Sequence, residues 1–174
     1  MLSGVILAYT LNDHLKEITL RCIKSFKNQL DELIIIEDGG NFIKEYLLAD
    51  TYIYNSFNRG FTKSVNLGLK ISRGTHTAII SSDTYLVDGN LKDLKRDTVV
   101  SPKIRNQMHI EGMCGSFFVV PKKITKEYGY LDESMKTYGS DEEYKRRVPN
   151  IRIDSTIIHH DIAQTVKCVD QSQK

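Results

Sequence analysis

Three aspartates and a pair of histidines occupy positions from which chemistry can be done. Asp38 follows the apolar run Leu33–Ile36 inside Glu37-Asp38-Gly39-Gly40. A carboxylate there can accept hydrogen bonds from a ribose hydroxyl or a base N–H, while the glycines let a ligand approach the backbone; it can equally satisfy its own turn. Asp83, in Ile80-Ser81-Ser82-Asp83-Thr84, is a candidate ligand for Mg²⁺ or Mn²⁺, which proteins hold with one or two carboxylates plus phosphate oxygens. Its competing role is an N-cap. Asp141 precedes Glu142-Glu143-Tyr144-Lys145-Arg146-Arg147. On a helix Glu143 and Arg147 are four apart and can pair, which leaves Asp141 at the N-terminus to accept a proton from an incoming hydroxyl. A salt-bridged surface helix is the alternative. Either imidazole of His159-His160 can ligate a metal or a phosphate. Asn58-Arg59-Gly60, with Lys63, Ser64, Asn66 and Gly68, forms a polar cluster at a helix start. It offers a diphosphate free N–H groups, a positive dipole end and two cations, or else it is a capped helix with a solvated basic face.

Alternating strands and helices must position these groups. Short apolar runs predict strands over Gly4–Tyr9, Leu33–Ile36, Thr51–Tyr54 and Thr77–Ile80. Leu15, Ile18, Cys22, Ile23 and Phe26 recur at helical spacing, as do Phe61, Val65, Leu69 and Ile71 before Gly74. Leu33–Ile36 is continuous rather than alternating, as in a strand buried on both faces. Such units argue for a parallel α/β sheet with right-handed crossovers, whose ligands bind at the carboxyl ends of the strands. Asp38 and Asp83 both fall at those ends. The second half is less regular: strands at Val99–Pro102, Gly115–Val120 and Ile151–Ile158, a polar stretch over 103–111, a short charged helix at Asp141–Arg147, and a polar tail.

A chain of 174 residues has room for one domain. With 40% apolar and 26% charged residues, 11 Gly and 3 Pro, collagen-like and disordered classes are excluded. No apolar run approaches the roughly 20 residues of a membrane span, and the N-terminus lacks a basic lead and a cleavage site, so a cytoplasmic protein is expected. A net charge of +2, mixed along the chain, makes no general electrostatic case for nucleic acid. The 3 cysteines, Cys22, Cys114 and Cys168, include no CxxC pair, which argues against a disulfide framework or structural zinc.

The segments stand in a telling order: GVILAYT and LKEITLRCIKSFKNQ, IIIEDGG, NRGFTKSVNLGLKISRG, ISSDT, CGSFFVVPKKITKEYGYLDESMKTYGSDEEYKRR and IDSTIIHH. Over roughly residues 3–160 this series resembles the family-2 glycosyltransferases. The resemblance implies the GT-A fold, a single-domain Rossmann-like mostly parallel sheet flanked by helices. Residues 1–162 would form the domain, with a nucleotide half over about 1–88 and an acceptor half over about 89–162, followed by a tail at 163–174. It implies an inverting transfer from a nucleotide-diphosphate sugar, UDP-sugar first, to an acceptor hydroxyl on a surface glycan or on a hydroxylated base in viral DNA. By position, Asp38 and the Ala8–Tyr9 backbone would hold the base or ribose, and Arg59, Lys63, Asn66 and Ser82 would lie near the nucleotide. Asp83 and His159 would ligate Mn²⁺ or Mg²⁺, with His160 the rival of His159, and Asp141 would be the general base. Ser81 and Ser140 depart from acidic residues of the family pattern. Ser81 motivates a second reading, a nucleotide-sugar or carbohydrate-binding module without catalysis. A nucleotidyltransferase would need a glycine- and lysine-rich loop that AYTLNDHLK does not supply. The acceptor site is expected in loops 84–97 and 102–112 or on another subunit, and oligomeric state is left open.

Overall fold

Four of the apolar runs become a block of parallel strands: β1 (Leu2–Ala8), β2 (Glu32–Asp38), β3 (Thr51–Asn55) and β4 (His76–Ser81). A computed structural model describes residues 1–107, 113–135 and 139–161. Helix α1 (Asp13–Phe26) connects β1 to β2, and α2 (Phe61–Ile71) connects β3 to β4. After β4 come β5 (Thr84–Asp88), β6 (Val100–Ile104), β7 (Phe117–Pro121), α3 (Lys122–Tyr128), α4 (Ser140–Arg147) and β8 (Arg152–His160). Together these strands form an 8-stranded sheet in the order β3-β2-β1-β4-β7-β6-β8-β5 among the described residues. β7 runs antiparallel to β4 and β6, β8 parallel to β6, and β5 antiparallel to β8.

The side-chain period of two divides each central strand between two apolar layers. Ile6, Leu33 and Ile35 pack with Cys22 and Phe26 of α1. Val5, Ile34 and Ile36 pack with Val65 and Leu69 of α2. Leu33–Ile36 is therefore buried on both faces, as its unbroken apolar run requires. Helix α1 starts where Asn12 Oδ1 accepts the Leu15 N–H at 2.9 Å.

The second half departs from expectation in two places and adds a helix where the sequence assigned no element. Residues 84–88, expected in a loop, form β5, whose partner β8 lies some seventy residues further along the chain. Lys122–Tyr128 is helical, with only Ile124 and Thr125 buried, too short to show a period. β7 begins at Phe117 rather than Gly115, because Gly115-Ser116 form a turn closed by Phe117 N–H on the Cys114 carbonyl at 3.2 Å. The expected tail at 163–174, with Cys168, lies outside the described residues, as do positions 108–112 of the loop 102–112. Among the described residues no helix is long and apolar enough to cross a membrane.

Candidate functional site at the carboxyl ends of the strands

The acidic pair closing β2 faces two ways, because consecutive strand residues point to opposite layers. Asp38, on the α2 side, is 7% exposed and organises the β3–α2 connection. Its Oδ1 accepts from Asn55 Nδ2 at 2.9 Å and Arg59 N at 3.0 Å, and its Oδ2 accepts from Gly60 N at 2.9 Å. Three of roughly four acceptor positions of the carboxylate are thereby used within the chain. Glu37, on the α1 side, is fully buried, and its Oε1 accepts from Thr10 N at 2.8 Å and Gly40 N at 3.1 Å. Gly39 has φ +90°, and a Cβ there would lie 2.2 Å from the Asn58 nitrogen, so only glycine fits the turn. Ala8 is buried opposite Glu37 and Tyr9 is half-buried beside it, so the Ala8–Tyr9 backbone shares this rim. Arg59, just before α2, and Lys63, in its first turn, are exposed.

Asn66 does not share that exposure. It was expected near the nucleotide, but its side chain is spent inside the protein. Oδ1 accepts from Leu131 N at 3.0 Å, and Nδ2 donates to Leu131 O at 2.9 Å and Glu133 Oε1 at 3.0 Å. It clamps the 131–133 segment to α2.

Asp83 lies two residues past β4 and is 8% exposed. Its Oδ1 stands 3.3 Å from His160 Nε2, and its carbonyl accepts the Asp161 N–H at 2.9 Å. The expected partner His159 faces the other way, since neighbouring strand residues alternate. Its ring stacks on Tyr85 at 4.9 Å, and its Nε2 is 3.2 Å from Asp161 Oδ1. Arg21 lies over the Tyr85 ring at 4.5 Å and pairs with Asp161. His160, not His159, is therefore the imidazole at Asp83. The Asp83 carboxylate suits a hard cation such as Mn²⁺ or Mg²⁺, while the His160 imidazole is a donor that Mn²⁺ accepts more readily than the oxygen-preferring Mg²⁺. Among the described residues no group of three His, Cys, Asp and Glu side chains converges as metal ligands. Ser82, half-buried, joins the same rim by donating its N–H to Leu7 O at 3.1 Å.

Asp141 stands in the first turn of α4, half-buried, as its place before a charged run suggests. Its Oδ2 accepts from Gly115 N at 3.0 Å and its Oδ1 from Glu142 N at 3.1 Å. Glu143 and Arg147 pair as their spacing predicts, with Nη2 at 2.9 Å from Oε2, and Arg147 also donates to the Tyr130 carbonyl at 2.8 Å. The Gly115-Ser116 turn joins the two acidic centres: Ser116 O accepts the N–H of Ser81, the last residue of β4, at 2.8 Å, while Gly115 N–H reaches Asp141. Asp83 and Asp141 thus belong to one end of the sheet. Sequence reasoning missed this turn and Glu37. Strand alternation applied to Glu37-Asp38 carried the signal for the second; for the first, only the run of small residues before Phe117 hinted at it.

Solved structures with the same fold include S. aureus TarS 1-349, at 15% identity and TM-score 0.69, covering 91% of this chain and 60% of that one. Another is PcManGT from Pyrobaculum calidifontis in complex with GDP-Man and Mn²⁺, at 11% identity and TM-score 0.73, covering 99% and 61%. GalNAc-T7 with UDP, GalNAc and Mn²⁺ is similar at 12% identity and TM-score 0.71, covering 92% and 43%. The chain thus spans about three fifths or less of the length of these structures, and the shared architecture is the GT-A fold. Comparison with the curated proteins finds no match. The model of glycosyl transferase family 2 matches residues 5–97, more than half of the chain, and the chain belongs to that family.

Proposed function

We propose that the chain is an inverting glycosyltransferase, moving a sugar from a nucleoside-diphosphate donor to an acceptor hydroxyl with Asp141 as general base. The supporting observation is the turn at Gly115-Ser116, hydrogen-bonded to the end of β4 on one side and to Asp141 on the other, so that donor phosphates and acceptor can share one rim. The ligands of structures with this fold favour such a donor: TarS is also seen in complex with UDP and with UDP-GlcNAc, GalNAc-T7 with UDP, and PcManGT with GDP-Man. A UDP-sugar is the first choice.

In this reading residues 1–88 take the nucleotide, with the Ala8–Tyr9 backbone and the Asp38-anchored loop lining the base and ribose. Arg59 and Lys63 face the diphosphate. Asp83 and His160 hold Mn²⁺ or Mg²⁺, which when bound neutralises charge developing on the leaving diphosphate. Asp141 accepts the hydroxyl proton as the acceptor oxygen bonds to the anomeric carbon and the bond to the diphosphate breaks, inverting configuration. A sugar hydroxyl is a weak nucleophile, so such a base is worth about 10²–10⁴-fold. The acceptor is a glycan hydroxyl taken up by residues 89–162, since the mixed surface charge gives duplex DNA no general attraction.

The test is a panel of UDP-, GDP- and dTDP-sugars with Mn²⁺ or with chelator, repeated with Asp141→Asn. That variant keeps donor binding and loses about 10²–10⁴-fold in transfer; full activity overturns the assigned base. Donor binding by the wild type without any turnover would instead favour the non-catalytic module that Ser81 suggests.

A further inference from the structure

Glu37 plays no chemical part in the reading above, yet it sits at the centre of the rim. Its Oε1 holds the Thr10 and Gly40 N–H groups, while Oε2 is buried with no hydrogen-bond partner among the described residues. The loops it touches are knitted round it: Asn41 N–H donates to Thr10 O at 2.7 Å, Tyr54 Oη to Gly40 O at 3.2 Å, and the Thr10 and Tyr46 hydroxyls stand 3.1 Å apart. A Cβ on Gly40 would lie 2.3 Å from Glu37 Oε1 and 2.4 Å from Thr10 N, so the two loops meet at closest approach through this carboxylate. Burial pushes the Glu37 carboxyl above its ordinary 4.5, against the pull of the Thr10 and Gly40 hydrogen bonds and with a further push from the Asp38 charge. An unpaired buried carboxylate oxygen lowers stability, and a fold keeps one where it serves something other than stability.

Resting on the donor reading above, we propose that Glu37 is a positioning residue for the nucleoside half of the donor, acting through the Thr10 and Gly40 backbone N–H groups that it holds at the ends of β1 and β2. It touches no reacting atom. It sets the separation of the two loops that wall the slot, and its loss therefore weakens donor binding without slowing the chemical step.

The experiment measures UDP and GDP binding by calorimetry with Mn²⁺, and donor KM and kcat for transfer, in the full chain. Glu37→Ala raises the nucleotide Kd and donor KM about 10-fold or more, since it deletes the acceptor of two backbone N–H groups, and leaves kcat within about twofold. Glu37→Gln, which keeps an oxygen acceptor, restores most of the affinity. Glu32→Ala, at the other end of the same strand, lowers Tm and leaves Kd unchanged, which separates positioning from general weakening. Should Glu37→Ala fail to fold, Gly40→Ala pushes the loop off Glu37 from the far side and produces the same rise in Kd. A Kd unchanged in Glu37→Ala or in Gly40→Ala overturns the proposal, whereas a wild type that binds neither nucleotide overturns the donor reading and this inference with it.

Discussion

Glu32 and Glu37 begin and nearly end one strand, are both buried, and are treated in opposite ways. Glu32 is closed upon its neighbours: Ser3 Oγ donates to one oxygen, Arg73 N–H to the same oxygen at 2.9 Å and Arg73 Nε to the other at 2.6 Å. The rest of the amino end follows suit, with Asp31 accepting from Leu2 N at 2.7 Å and Asp50 from Leu33 N at 2.8 Å. At the carboxyl end Glu37 leaves an oxygen unpaired, Asp38 keeps acceptor capacity, and the loops turn through Gly39 at φ +90° and Gly60 at φ +94°. One end of the sheet is satisfied internally and serves stability. The other leaves carboxylate acceptor capacity unused, at some cost to stability.

The largest effect that tests this contrast comes from Asp83. Asp83→Ala lowers transfer about 10²–10³-fold in saturating donor and Mn²⁺, as does losing one preorganised electrostatic contact in other enzymes. Asp50→Ala lowers Tm and leaves kcat unchanged; equal losses of turnover in both variants would erase the distinction. Asn66→Ala comes next. It leaves the buried Leu131 N–H without its acceptor and costs about 1–3 kcal/mol, read as a shift of the urea midpoint, with nucleotide Kd unchanged. A raised Kd without lost stability would return Asn66 to the nucleotide.

The smallest effect is a pair of opposed pH slopes. The folded-state pKa of Glu37 is raised by burial, so the folded chain holds that proton more tightly than the unfolded one. Its contribution is fullest below 4.5 and is lost as pH rises through the folded value. For Glu32, burial pushes upward, but the Ser3 and Arg73 hydrogen bonds and the Arg73 charge together outweigh it, and the net shift is below 4.5. Its contribution is present above 4.5 and is lost as pH falls through the folded value. Urea unfolding between about pH 3 and pH 7 should therefore show the stability of wild type over Glu37→Gln falling with pH and that over Glu32→Gln rising. Parallel slopes would mean that the two carboxyls share one environment.

Much of the parallel half was legible because its signals are local. The Leu33–Ile36 run and the spacing of Leu15, Ile18, Cys22 and Phe26 each lie within a few turns or one strand of chain, as does the Glu143–Arg147 pair of α4 in the second half. β5 was not legible, since Thr84–Asp88 becomes a strand only by pairing with residues near Ile157–His160. Nor was the fate of Asn66, whose amide is claimed by Leu131 and Glu133 across a distance no spacing rule reaches.

By itself the sequence determined the alternation of strands and helices, the acidic residues that end the strands and the motif order that marks the family. Each of these rests on hydrophobic period or local backbone preference, which neighbouring residues set. Only the tertiary structure decided that His160 rather than His159 meets Asp83, that Asp38 spends most of its acceptors on Asn55 and the β3–α2 connection, and that the Gly115-Ser116 turn ties Asp83 and Asp141 to one end. Strand pairing and hydrogen bonds between segments far apart in the chain select those outcomes, and they exist only once the sheet has assembled.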